Sequence, residues 1–256
     1  MKLLRRISEN EVISEFLKAE FYQKEYDFDR ERWEQIVLQP DTNDQRENAL
    51  RRALLYRRRG HMWRELPAET QWHEIEMDSG DLDKIRVFPR AQWRKISEGS
   101  FRLTEIADRI RHLPVRGRRS SVISKIQLLR YRLLHEPQNS AVLLIGVDDR
   151  APLTILEGNH RLAAALLISP QKAQTAFRML CGLSPRMAES CWYETNFENL
   201  WRYLKNRLRN ISDLEADVDH AVRELPAPLV SPVAAASLPG SGSSLEQKET
   251  EVGILS

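Results

Sequence analysis

Val12, Ile13, Phe16, Leu17 and Phe21 recur three and four positions apart, the spacing that sets side chains on one helical face. Ser8 followed by Glu11 is a capping-box pattern, so a first helix is predicted over 8–25. A second is predicted over 29–38, starting near Asp29 and stopping before Pro40, and a third from Thr42 to His61. Residues 1–68 therefore read as a helical region.

The period changes at Gln71. Trp72, Ile75 and Met77, then Ile85, Val87 and Phe88, read as short extended segments around an Asp78-Ser79-Gly80-Asp81 turn. Leu103, Ile106, Ala107 and Ile110 mark a helix over 102–112, and Val122, Ile123, Ile126, Leu129 and Leu133 mark another over 120–135. Between them, Pro114 to Arg119 is a basic connection that suits either a solvated loop or contact with an anion. Ala141–Val147 is an apolar run too short for most helices, and Asp148-Asp149-Arg150 turns it into Pro152–Leu156, which predicts a hairpin. Helix resumes over 159–167, an extended piece follows at 177–180, and a helix covers 196–210. Residues 213–225 suit a short helix or linker. From 226 to 256 the chain is dominated by Pro, Ala, Ser, Gly and Glu without an apolar period, and disorder is expected there. The predicted class is α+β: helices 1–68, a mixed sheet with flanking helices over 69–212, and the tail.

Composition excludes rather than identifies. Hydrophobic residues are 41% and charged residues 30% of 256, ordinary for a folded soluble chain. Lys and Arg total 39 against 37 Asp and Glu, so a net charge of +2 gives no global pull toward nucleic acid or anionic lipid. Cys181 and Cys191 lack metal-ligand spacing with histidines and form no disulfide framework, which predicts reduced, buried thiols. The basic opening is followed by Ser8-Glu9-Asn10-Glu11 rather than an apolar stretch, and nowhere do roughly 18 apolar residues run together; the expectation is a cytoplasmic protein without a membrane partner.

Chemistry concentrates in Glu157-Gly158-Asn159-His160-Arg161, between an apolar strand and the helix-forming run Leu162–Leu167. Gly158 allows a backbone conformation that other residues resist. The N–H groups of a helix start lack intrahelical partners and attract anions, Asn159 can cap, and Arg161 offers a fork of donors matched to phosphate oxygens. His160 could donate to the same phosphate or take a proton from a nucleophile. The same residues would also serve a purely structural turn.

The run from Leu153 through Glu157-Gly158-Asn159-His160-Arg161 to Ala165 resembles the signature of the ParB and sulfiredoxin superfamily, in which Gly, a variable residue, His or Arg, and Arg open a helix that binds nucleotide phosphates. The match falls on Gly158, His160 and Arg161, and the similarity extends over about residues 70–182. Sulfiredoxins carry a reactive cysteine where this chain has Asn159, so sulfinic acid reduction is not expected. ParB partition proteins have an acidic residue and a second arginine at the positions of Asn159 and His160, followed by a helix-turn-helix domain for which too little chain follows residue 182. Free serine kinases carry Asp-Gly-His-His-Arg, nearest of these three branches. That resemblance implies a nucleotide-dependent phosphotransferase or phosphohydrolase. Gly158, Asn159, His160 and Arg161 would hold a nucleoside triphosphate or diphosphate, ATP foremost, with Mg2+ and a small-molecule or protein acceptor. The implied catalytic residues are His160, Glu157 and a glutamate near the first strand, Glu74, with Glu76, Asp81 and Asp83 as alternatives.

Two other readings stand beside it. Arg46, Arg51, Arg52, Arg57, Arg58 and Arg59 on the third helix make a candidate track for nucleic-acid phosphates, although apolar residues interleave with them at helical spacing. A non-catalytic interaction protein on the same fold would use Trp192, Tyr193, Trp201 and Tyr203 as a partner surface.

Overall fold

A strand apolar at every position needs packing on both of its faces. The computed structural model describes residues 1–23, 26, 30–89, 91–113, 121–136, 140–209 and 218–224, and it provides those two layers. The fully buried strand Ala141–Gly146 is β4. It lies in a six-stranded sheet with β1 (Lys2–Arg6), β2 (Gln71–Glu76), β3 (Ile85–Val87), β5 (Leu153–Glu157) and β6 (Arg178–Leu183), in the order β1-β2-β6-β4-β5-β3. β4 runs parallel to β6 and β3 parallel to β5, while the β1–β2, β2–β6 and β4–β5 pairs are antiparallel. The sheet is mixed and the class is α+β.

Alternation along the strands divides the core. Ala141, Leu143 and Ile145 of β4, with Leu156 and Leu180, pack against α1 (Glu9–Glu20), α2 (Arg30–Leu38) and α3 (Gln45–Trp63). Val142 and Leu144, with Leu153, Ile155, Met179 and Cys181, face the other way. There they meet α5 (Leu103–His112), α6 (Ser121–His135), α7 (Asn159–Ile168) and Ala173 of α8 (Pro170–Thr175). α4 (Ala91–Ser97) adds Trp93 to that layer, and α9 (Phe197–Arg209) and α10 (Val218–Glu224) follow the sheet. All described residues belong to one compact unit.

Several boundaries differ from the sequence reading. The region 1–68 opens with a strand: β1 pairs with β2 at the sheet edge. α1 ends at Glu20, where a turn closes with the Gln23 N–H donating to the Glu20 carbonyl. α3 starts at Gln45 rather than Thr42, because the Asp44 carboxylate accepts from the N–H groups of Arg46 and Glu47. β2 and β3 flank the Asp78–Asp81 turn in sequence but are separated in the sheet by β6, β4 and β5. α8 went unread, although Ser169 caps it and Pro170 sits in its first turn. The Pro114–Arg119 connection and the tail 226–256 lie outside the described residues.

Candidate functional site

β5 ends at Glu157 and α7 begins two residues later, with the whole reversal carried by Gly158 at φ 101°. An added Cβ there would approach Val142 Cγ2 to 2.9 Å, so both backbone conformation and space require glycine. Gly158 itself is the N-cap and supplies no side chain, which corrects the expectation that Asn159 caps. Asn159 is instead the first helical residue, and its Oδ1 is buried without a hydrogen-bond partner. The first helical bond is donated by Leu162 N–H to the Gly158 carbonyl at 2.9 Å, leaving the N–H groups of Asn159, His160 and Arg161 no acceptor within the helix.

The side chains of the turn are held in place. Arg161 Nη2 lies 3.4 Å from Glu157 Oε1, with its guanidinium 6.0 Å from the Phe177 ring centre. His160 rests against Trp93, ring centres 5.2 Å apart and tilted by 37°. Glu157, Gly158, Asn159, His160 and Arg161 all line one pocket of about 420 Å³ at the carboxyl end of β5. The structure thus brings together every sequence-predicted site residue except Glu74.

The same pocket draws side chains from both helical layers. Arg59 comes from α3 and Glu20 from α1, paired at 2.8 Å; Lys125 and Arg132 come from α6, and Gln92 and Trp93 from α4. Phe88 and Trp192 complete an aromatic wall, their rings 4.6 Å apart. Arg59, Lys125, Arg132 and Arg161 outnumber Glu20 and Glu157, so the concavity favours an anion. Sequence reasoning missed Lys125, Arg132, Trp93 and Glu20 as site residues. Only the spacing of Lys125, Leu129 and Arg132 at i, i+4 and i+7 marked one face of α6 for a common target.

Glu74 lies elsewhere. It sits on β2, three strands from β5 and therefore roughly 14 Å across the sheet. Its carboxylate accepts from Arg178 at 3.0 Å and from Arg5 at 2.9 Å, and Arg178 also reaches Glu11 at 2.7 Å. Hydrogen bonding from Arg178 holds the Glu74 carboxyl below its usual range, and bonding from Arg5 does the same to Glu11. Such a group is a structural anion, which removes Glu74 from the candidate catalytic set. The alternatives fare no better: Glu76 is exposed near Lys2, Asp81 is buried against the Met1 ammonium and Lys84, and Asp83 is exposed on its turn.

The arginine helix does not present a continuous basic track. Arg51 is 1% exposed and donates to the Ile36 and Asp41 carbonyls, Glu47 and Asn48. Arg52 pairs with Glu9 at 2.6 Å and Arg58 lies over the Tyr26 ring, and of the six only Arg57 is exposed rather than half-buried or buried. Of the four aromatics proposed as a partner surface, Trp192 is buried and Tyr193 and Tyr203 pack against the core; Trp201 is the exposed one. Cys181 and Cys191 are free and buried, and burial pushes both thiols up. Among the described residues no group of three or more His, Cys, Asp or Glu side chains is arranged to hold a metal ion, and no helix is long and apolar enough to cross a membrane. Comparison of the chain with protein-family models, curated proteins and solved structures returns no match.

Proposed function

We propose that the pocket is a nucleotide site and that the chain is a ParB/sulfiredoxin-like phosphotransferase or nucleotide phosphohydrolase. The observation that carries this reading is the convergence on one cavity of the α7 N-terminus with Arg59, Lys125, Arg132 and Arg161. Helix N–H groups and fixed cations together favour a polyanion, and about 420 Å³ accommodates a nucleotide-sized ligand. Trp93 and Trp192, both buried, give the cavity an apolar aromatic lining suited to a base, and the buried Asn159 Oδ1 needs a donor such as a ribose hydroxyl or an exocyclic amine.

In this reading Lys125, Arg132 and Arg161 neutralise phosphate charge, Glu157 or Glu20 orients the attacking group, and His160 handles a proton. Glu157 or Glu20 would help to hold Mg2+ beside a phosphate, where the ion would supply charge neutralisation. An ATP, ADP and CTP titration by calorimetry, with and without magnesium, tests the proposal. Lys125→Ala and Arg132→Ala should each lower affinity about ten- to a hundredfold, the effect of one charge-assisted hydrogen bond of roughly 1.5–3 kcal/mol. His160→Ala should reduce turnover more than affinity, whereas Glu74→Gln should leave both unchanged. A parent protein that binds none of these nucleotides overturns the reading, and one that binds without turnover is a nucleotide-regulated interaction protein.

A further inference from the structure

α9 is amphipathic, but it is mounted with its polar face inward. At roughly 100° per residue, Phe197, Leu200, Trp201, Leu204 and Leu208 form one stripe. Each is at least 44% exposed, and Phe197 reaches 86%. The opposite face is fastened to the protein by polar contacts. Asn199 donates to the Ala188 and Glu194 carbonyls at 2.8 Å each, Arg202 to the Glu189 carbonyl at 2.8 Å, and Asn206 to the buried Glu65. A helix that merely closed the core would be turned the other way.

Charge indicates what the stripe meets. Lys205 and Arg207 lie roughly 80° to either side of the stripe centre, and Arg209 lies beyond Lys205. Lys205 Nζ stands 5.7 Å from the Trp201 ring centre. Arg202 is engaged inward on Glu189, and the helix's single acid, Glu198, lies 3.7 Å from it, which leaves Lys205, Arg207 and Arg209 as the cations around the stripe. A second copy of α9 would set like charges against each other along the seam, while an anionic surface would complement both borders. Apolar side chains led by Phe and Trp, bordered by cations with long stems, match the depth profile of a lipid interface, where rings sit at headgroup level and cations reach the phosphates.

We infer that α9 is a docking surface for anionic lipid bilayers, holding the protein on a membrane face without crossing it. This does not depend on the nucleotide reading. The test is co-sedimentation of the full chain with phosphatidylglycerol vesicles and with phosphatidylcholine vesicles, beside sedimentation of the protein alone. Binding is expected to phosphatidylglycerol, weaker to phosphatidylcholine, and diminished by salt. Lys205→Glu with Arg207→Glu should weaken it at least about thirtyfold, at roughly fivefold for each cation lost. Leu204→Ser with Leu208→Ser should weaken it on the order of a hundredfold while lowering the melting temperature only slightly, because both side chains are already exposed and the helix loses only propensity and partial packing. Failure of the parent to bind phosphatidylglycerol, equal binding to both lipids, or retained binding in both variants overturns the inference. So does a parent dimer that Leu204→Ser with Leu208→Ser dissociates, which would assign the stripe to a second copy.

Discussion

Gly158 is constrained twice, by a positive φ and by Val142, and the two constraints can be separated. Gly158→Ala should destabilise the fold by about 1–3 kcal/mol in denaturant titrations. Adding Val142→Ala removes the 2.9 Å approach but keeps the left-handed backbone, so the double variant should cost less than the sum of the single ones. Strictly additive losses would show that the backbone conformation alone governs the position. Gly158, His160 and Arg161 were legible from sequence because they are contiguous and flanked by a strand and a helix. Their partners were not. Arg59, Lys125 and Arg132 are tens of residues away and reach the pocket only through tertiary packing; the shared face of α6 groups Lys125 with Arg132, but nothing local ties either of them, or Arg59, to the turn.

Arg51 and Arg178 hold elements together. Arg51 joins the end of α2, the 41–44 loop and α3 through four hydrogen bonds, all at 3.0 Å or shorter. Arg51→Ala leaves those acceptors without their donor in a buried place and should lower stability by about 3–5 kcal/mol, measured by chemical denaturation. A loss under 1 kcal/mol would mean that water replaces the guanidinium. Helix starts were readable where a side chain caps, as at Ser8. β1 was not, because Lys2–Arg6 is exposed at all five positions and shows no alternation; its backbone pairing with β2 keeps it in the sheet.

Across the whole molecule, acid response follows from groups shifted in opposite directions. Glu11 and Glu74 are held below their ordinary value of 4.5, so the native state binds fewer protons there than the unfolded chain does. Their contribution is present above about pH 4.5 and is lost as pH falls through the lowered values; Arg178→Gln should shrink this acid-sensitive part of the stability curve. Glu65 behaves in reverse. Burial raises it, so its neutral form suits the fold and the cost of ionising it grows as pH rises from 4.5. Glu65→Gln should accordingly stabilise the protein at pH 7 and make no difference below pH 4.5, as read from melting temperatures across pH; an unchanged neutral melting temperature would refute this. The layering of the sheet also has a consequence in time. α1 to α3 cover β4 and β6, which lie far downstream, and residues 64–183 take roughly 6–24 s to be synthesised at about 5–20 residues per second. Until β4 and then β6 are made, Val12, Phe16, Leu17 and Leu54 lack the central strands they close over, and the nascent chain is expected to engage whatever shields apolar helices at the ribosome exit.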